Sequence, residues 1–210
     1  MIRLLVTGGT FDKEYNELNG SLFFRNTHVS EMLRRGRNGV DIAVQVLMMI
    51  DSLDMTADDR ARIVDACLDA RETQLVITHG TDTMVDTAAA LAAALPLLGS
   101  KTVVLTGAMI PYAFGSSDGL FNLGSAVSFV QVLPPGIYVA MNGRWFAWDR
   151  VHKNRDSGTF EAIWRRASAA GDGLELGEVM AGVPGHLVQD PVDRDRPVLG
   201  MRQHDVALPG

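Results

Sequence analysis

The chain has 210 residues, 47% hydrophobic and 21% charged, which suits one domain with a buried core and excludes wholesale disorder. Its formal net charge is −6 and no Lys/Arg run stands out, which speaks against a nucleic-acid partner and for a small or neutral one. The single cysteine, Cys67, sits among helix-forming residues and is expected to be a buried, inert thiol; no basic-then-apolar leader and no apolar run of ~20 residues is present, so a cytoplasmic protein with no membrane partner is expected.

In chain order, "IRLLVT" at 2–7 is a short apolar run followed by Gly-Gly, the pattern of a buried strand. Residues 14–26, "EYNELNGSLFFRN", place Asn19-Gly20 between short apolar runs and predict a β-hairpin flap after the first strand. Further strands are predicted at 42–49, 75–78, 102–106 and 136–141. A helix is predicted over 56–71, opened by a capping box from Thr56 and Asp59, with Ile63, Ala66, Cys67 and Ala70 along one face. Two more are expected at 84–95 and 118–133. Strands alternating with helices imply an α/β fold: an open, mostly parallel sheet with helices on both faces, flavodoxin-like or Rossmann-like. The organisation expected is an active-site domain over 1–165 and an irregular segment over 166–210, extended or partly disordered.

Three strands end alike, in "LLVTGGT", "LVITHGT" and "VVLTGAM". Ligands of open parallel sheets bind beyond the carboxyl ends of the strands, so these Thr-Gly exits are expected to line the crevice with hydroxyls and closely approaching backbone. No dinucleotide fingerprint, phosphate loop or serine elbow follows any strand. His28, His79, His152 and His204 lack metal-ligand spacing and read as surface or loop histidines, so neither metal nor cofactor is expected.

What remains is threonine chemistry. A hydroxyl becomes a nucleophile when a neighbouring group takes its proton, and Tyr15, on the flap, is placed to fold back over Thr10. A second set consists of Thr81 and Asp82, read at the start of a helix, and Lys153, read in the loop after the last clear strand and free to reach across the sheet top.

At this point the sequence resembles a family. "TGGTFDK" at 7–13, "THGTDTM" at 78–84, "LTGAMIP" at 105–111 and "SSDGLFNL" at 116–123 look like the signatures of the bacterial-type L-asparaginases, the threonine amidohydrolases. The resemblance implies that Thr10 is the nucleophile and Tyr15 its activator, with Thr81, Asp82 and Lys153 as a second triad. It places Ser52 on the substrate α-carboxylate, with Gly9, Asp51, Gly80, Thr81, Asp82 and Ala108 also binding substrate. Two departures stand out: Leu53 occupies the position where the family usually has glutamine, and the chain ends before the family's second domain could be complete, so it looks like a short-chain variant.

The activity this implies is hydrolysis of L-asparagine to L-aspartate and ammonia through a threonine-linked β-aspartyl ester, without a cofactor. Two alternatives stay open: a ligand-binding or regulatory module that kept the pocket, and an amidase preferring glutamine or another amide. The nearly all-apolar helix around 120–133 and the family's subunit contacts imply a homodimer or homotetramer. A polar group such as Asp190 or Asp193 in the C-terminal segment, or one from a neighbouring subunit, is a candidate to replace the missing substrate contact.

Overall fold

The computed structural model describes residues 1–163, so the expectations for 166–210, His204, Asp190 and Asp193 lie outside the described residues. A six-stranded sheet forms the centre. Its strands are β1 (Ile2–Gly8), β4 (Ile42–Ile50), β5 (Gln74–Thr78), β6 (Thr102–Thr106), β7 (Gly136–Met141) and β8 (Arg144–Ala147), in the spatial order β4-β1-β5-β6-β7-β8. The first five are parallel and β8 closes the edge antiparallel. Renumbered among themselves, the parallel strands run 2-1-3-4-5, the flavodoxin-like order, and the chain reverses direction across the sheet between β1 and β5. In sheets of this order the ligand site lies beyond the carboxyl ends of the strands flanking such a reversal, here β1 and β5.

The central strands are apolar throughout because both of their faces are covered. On one face, Leu5, Ile77, Leu105 and Val139 pack with Ile63 and Cys67 of α2 (Ala57–Asp69) and with Met84, Ala88 and Leu91 of α3 (Met84–Ala93). On the other, Leu4, Val6, Val76 and Val104 pack with Val29 and Met32 of α1 (Val29–Arg35) and with Leu123, Ala126 and Val130 of α5 (Gly119–Val130). The expected capping box at Thr56 and Asp59 is present. Cys67 is fully buried, and burial pushes its thiol up to about 12. A short α4 (Leu95–Leu98) follows α3. No helix among the described residues is long and apolar enough to cross a membrane.

The predicted flap is the hairpin of β2 (Lys13–Tyr15) and β3 (Leu22–Phe24). Sequence reading missed α1, which is only 7 residues long, and everything after β7. The β7–β8 hairpin had a signal: Asn142-Gly143, with φ of 55° and 76°, is the pair that a tight twisted turn between antiparallel strands demands. A second hairpin, β9 (Val151–Asn154) with β10 (Thr159–Ala162), buries Val151 and Phe160 in the α2/α3-side core.

Candidate active site

The strand exits interlock through their glycines. Gly9, at φ 75°, lies against the Gly80 backbone so closely that a Cβ would overlap the Gly80 nitrogen. Gly80 in turn leaves no room beside Ser52, since a Cβ there would lie 2.5 Å from Ser52 Oγ. The exits of β1, β4 and β5 are thus wedged together by two glycines, which brings the loops of Thr10, Ser52 and Thr81 to one place.

The expected row of hydroxyls is corrected in one respect. Thr7, Thr78 and Thr106, which end the three strands, are fully buried rather than facing the crevice. Thr7 Oγ1 donates to the Thr78 carbonyl at 2.8 Å and Thr106 Oγ1 to the Ala140 carbonyl at 2.8 Å, so they stitch neighbouring strands. Beyond the strand ends, the second threonines of the first two motifs are Thr10, half-buried, and Thr81, buried at 4% exposure.

Thr10 opens a 3-10 turn, Thr10–Asp12, directly after β1. Two residues on, Asp12 is buried, which raises its carboxyl above the usual range even though it accepts from His28 N at 2.7 Å and from Thr27 Oγ1 at 3.1 Å. Tyr15 does not lie over Thr10: it is 55% exposed, and its hydroxyl sits beside Gly20 in the turn of its own hairpin.

Thr81 and Asp82 precede α3 rather than starting it, since Thr83 is the residue that caps the helix. Lys153 is on strand β9, not in a loop. Its Nζ donates to Thr81 Oγ1 at 2.8 Å and to Asp82 Oδ1 at 2.8 Å, with the side chain only 11% exposed. Val151 and Lys153 are two residues apart on one strand and share a face, so the burial of Val151 in the core is what aims Lys153 at the β5 exit. Thr81 Oγ1 is then directed toward Met109 Sδ at 3.6 Å, across the β6 exit.

Ser52 follows β4 and is buried, and its Oγ has no hydrogen-bond partner among the described residues. A buried hydroxyl left so is costly unless something else is meant to fill it. Thr83 Oγ1 donates to the Ser52 carbonyl at 2.8 Å and braces the two loops, a contact no sequence pattern announced. Asp51 is engaged by the protein itself: Lys13 Nζ donates to Oδ2, and the Leu53 N–H to Oδ1 at 3.0 Å. Burial opposes ionisation there, but the Lys13 and Leu53 bonds and the Lys13 charge outweigh it and hold the carboxyl below the usual range. Leu53 is 64% exposed, with its side chain turned to solvent.

His79 is fully buried, not a surface histidine. Its Nδ1 faces the Gly80 carbonyl at 2.7 Å and must carry the proton, so Nε2 accepts from Thr87 Oγ1 at 2.8 Å. Burial, chiefly, pushes its pKa down to about 4, and it stays neutral. Ala108 is buried at the β6 exit. The loop that follows is tied down by Asp118, which accepts from the Met109 and Ile110 N–H groups at 3.0 Å, and by Asn122, which donates to the Gly107 carbonyl at 2.9 Å. No group of metal-binding residues is present among the described residues.

Residues 1–170 match the family described as "Asparaginase, N-terminal". The chain belongs to the asparaginase family. It is 32% identical over 172 residues to an L-asparaginase of Thermococcus kodakarensis, a match covering 77% of this chain and 51% of the relative. It is 38% identical over 119 residues to L-asparaginase 1 of Escherichia coli, covering 55% of this chain and 34% of that one. Among solved structures, the thermostable L-asparaginase from Thermococcus kodakarensis superposes with a TM-score of 0.68 at 30% identity, over 77% of this chain and 51% of that chain. A structure titled as a probable cytoplasmic L-asparaginase from Campylobacter jejuni gives a TM-score of 0.66 at 29% identity, over 77% and 52%. The match therefore spans about half the length of the Thermococcus kodakarensis and Campylobacter jejuni proteins and a third of the Escherichia coli one.

Proposed function

We propose that this asparaginase-family chain is an amidohydrolase that converts L-asparagine to L-aspartate and ammonia. The observation that carries the reading is the contact of Lys153 Nζ with both Thr81 Oγ1 and Asp82 Oδ1, on the exit loop wedged against that of Thr10. In this reading Thr10 Oγ1 adds to the side-chain carbonyl carbon, and backbone N–H groups of the glycine-rich exits hold the oxyanion. When the flap tip closes, the Tyr15 oxygen accepts the Thr10 proton as it passes its own to the Lys153–Thr81–Asp82 set, which hands one proton to the departing nitrogen, so that the relay ends as it began. The C–N bond breaks and ammonia leaves a β-aspartyl ester on Thr10. Water then adds to that ester, the Oγ–C bond breaks, and aspartate and the threonine hydroxyl are restored. Each half-reaction is an addition to the carbonyl, a collapse of the tetrahedral intermediate that expels ammonia or the threonine oxygen, and the proton transfers between them, with no change of oxidation state.

The unpartnered Ser52 Oγ, beside Gly80, is the anchor for the substrate α-carboxylate, and Gly9 and Ala108 are taken as further contacts. We take residues 1–165 as the catalytic unit and, with the Campylobacter jejuni neighbour titled a probable cytoplasmic L-asparaginase, place the protein in the cytoplasm. A homodimer or homotetramer belongs to the same proposal, because α5 carries no charge and leaves Phe121 63% exposed. Sedimentation as a monomer at micromolar concentration would remove that part.

Another amide as substrate is the second reading. It is favoured by Leu53 at the glutamine position and by a relative from Saccharolobus islandicus, 31% identical over 140 residues, that is named as a component of a glutamyl-tRNA(Gln) amidotransferase. Ammonia release from asparagine and glutamine over a wide concentration range separates the two. Thr10→Ala abolishes release from either with an unchanged circular dichroism spectrum; activity above a few per cent makes Thr81 the nucleophile and overturns the assignment.

A further inference from the structure

Lys13 begins β2, three residues after Thr10 and two before Tyr15. Successive side chains of a strand point to opposite faces, so Lys13 and Tyr15 share one face of the flap and Glu14 occupies the other. Each face of the flap root is tied to a different part of the protein. On the first, Lys13 Nζ donates to Asp51, directly before Ser52. On the second, Glu14 faces His28 Nε2 at 3.6 Å and Arg25 Nε at 3.8 Å. The Lys13 side chain is 17% exposed and that of Asp51 26%, so solvent screens this pair less than an ordinary surface pair. The tip has no such ties. Its turn is closed from within, by Gly20 N on the Asn16 carbonyl and by Ser21 on Asn19 Oδ1, and Leu18 is 90% exposed.

We infer that Lys13 and Asp51 are a positioning pair: their ion pair fixes which face of β2 overlooks the crevice, so that closing the tip delivers the Tyr15 hydroxyl to Thr10. Neither acts on the substrate bond itself. Asp51, expected as a substrate contact, spends both carboxylate oxygens on the flap root and on its own loop. With Lys13 released, the hairpin keeps its internal bonds but is free to rotate about the Thr10–Asp12 turn, and Tyr15 arrives at Thr10 less often. The inference rests on the reading of Tyr15 as the activator of Thr10.

The test is a double-mutant cycle on the full chain, read as kcat and KM for ammonia release from asparagine. Lys13→Met should lower kcat roughly tenfold and leave KM within about threefold, while Lys13→Arg, which keeps the cation, should recover most of the loss. Lys13→Gln is a second neutral variant and should behave as Lys13→Met does, should the latter fold poorly. In a Tyr15→Phe background the Lys13→Met change should cost less than about twofold, because the group it positions is already gone. An undiminished kcat for both neutral variants overturns the inference, as does a loss confined to KM, or an equal loss with and without Tyr15→Phe. A Tyr15→Phe protein with full kcat removes the activator reading, and this inference with it; a large Tyr15→Phe loss alongside additive Lys13 effects removes the inference alone.

Discussion

Replacing Lys153 by Met retains most of the side-chain stem and removes the charge that joins Thr81 to Asp82. Two hydrogen bonds of 2.8 Å are lost, both made by a cation that is only 11% exposed. Hydrogen bonds to charged groups are worth about 1.5–3 kcal/mol each. If both strengthen as the proton moves through Thr81, the barrier rises by about 3–6 kcal/mol, or roughly 10²–10⁴ in kcat, the range for a positioned acid–base group. Folding is affected far less. The Asp82 side chain is 36% exposed and stays hydrated without its partner, so the pair contributes only about 1 kcal/mol to stability. For a chain of this size that lowers Tm by roughly 2–4 °C. A coupled ammonia assay and a thermal melt on the same preparation read the two effects separately. A Lys153→Met protein keeping more than about a tenth of its kcat, or losing only KM, would refute the relay.

Gly9→Ala forces a Cβ into the Gly80 backbone at positive φ, and overpacking with left-handed strain should cost roughly 2–5 kcal/mol, seen as a lower urea midpoint; an unchanged midpoint would show that the exits are not wedged. Leu53→Gln should lower KM for asparagine about tenfold by restoring one hydrogen bond at the substrate's charged end, and an unchanged KM would mean that this position does not meet the substrate. Between pH 6.5 and about 4 the unfolded chain protonates at His79 while the folded one does not, so stability present above pH 6.5 is lost as pH falls, by about 1.4 kcal/mol per pH unit and about 3.5 kcal/mol over the window. Buried Asp12, whose carboxyl is raised by burial, titrates in the opposite sense; the difference between the unmodified protein and His79→Gln cancels it, and identical pH profiles for the two would count against a neutral buried histidine.

The places where sequence reading goes astray share a cause. Thr7, Thr78 and Thr106 look identical to Thr10 and Thr81 in the sequence, each beside a glycine or one residue from it, yet the first three lie within the sheet and the other two beyond it. A few residues of strand length separate a threonine inside the sheet from one in the loop beyond it, and strand ends are the least local feature of a sheet. His79 reads as a loop residue because no periodicity surrounds it, whereas its burial comes from α3 and the Asp51–Met55 segment closing over it through Thr87 and Met55. Tyr15 and Thr10 are neighbours in sequence, but the flap has its own turn and its own hydrogen bonds, so adjacency does not bring them into contact.

The sequence alone determined the layering of the fold, the five parallel strands, the capped helix α2 and the flap, because hydrophobic period, capping pairs and the Asn-Gly turn act over a few residues. It also marked Thr10, Thr81, Asp82 and Lys153 as candidates, through the residue types that follow each strand. Tertiary structure alone decided that the last three meet. Lys153 reaches Thr81 across 72 positions of chain because an antiparallel hairpin buries Val151 and Phe160 in the α2/α3-side core, and Lys13 finds Asp51 because Gly8 pairs with Ile50 at the ends of β1 and β4. Such contacts follow from the register and docking of whole elements, which depend on every residue of the core at once and on no short stretch of sequence.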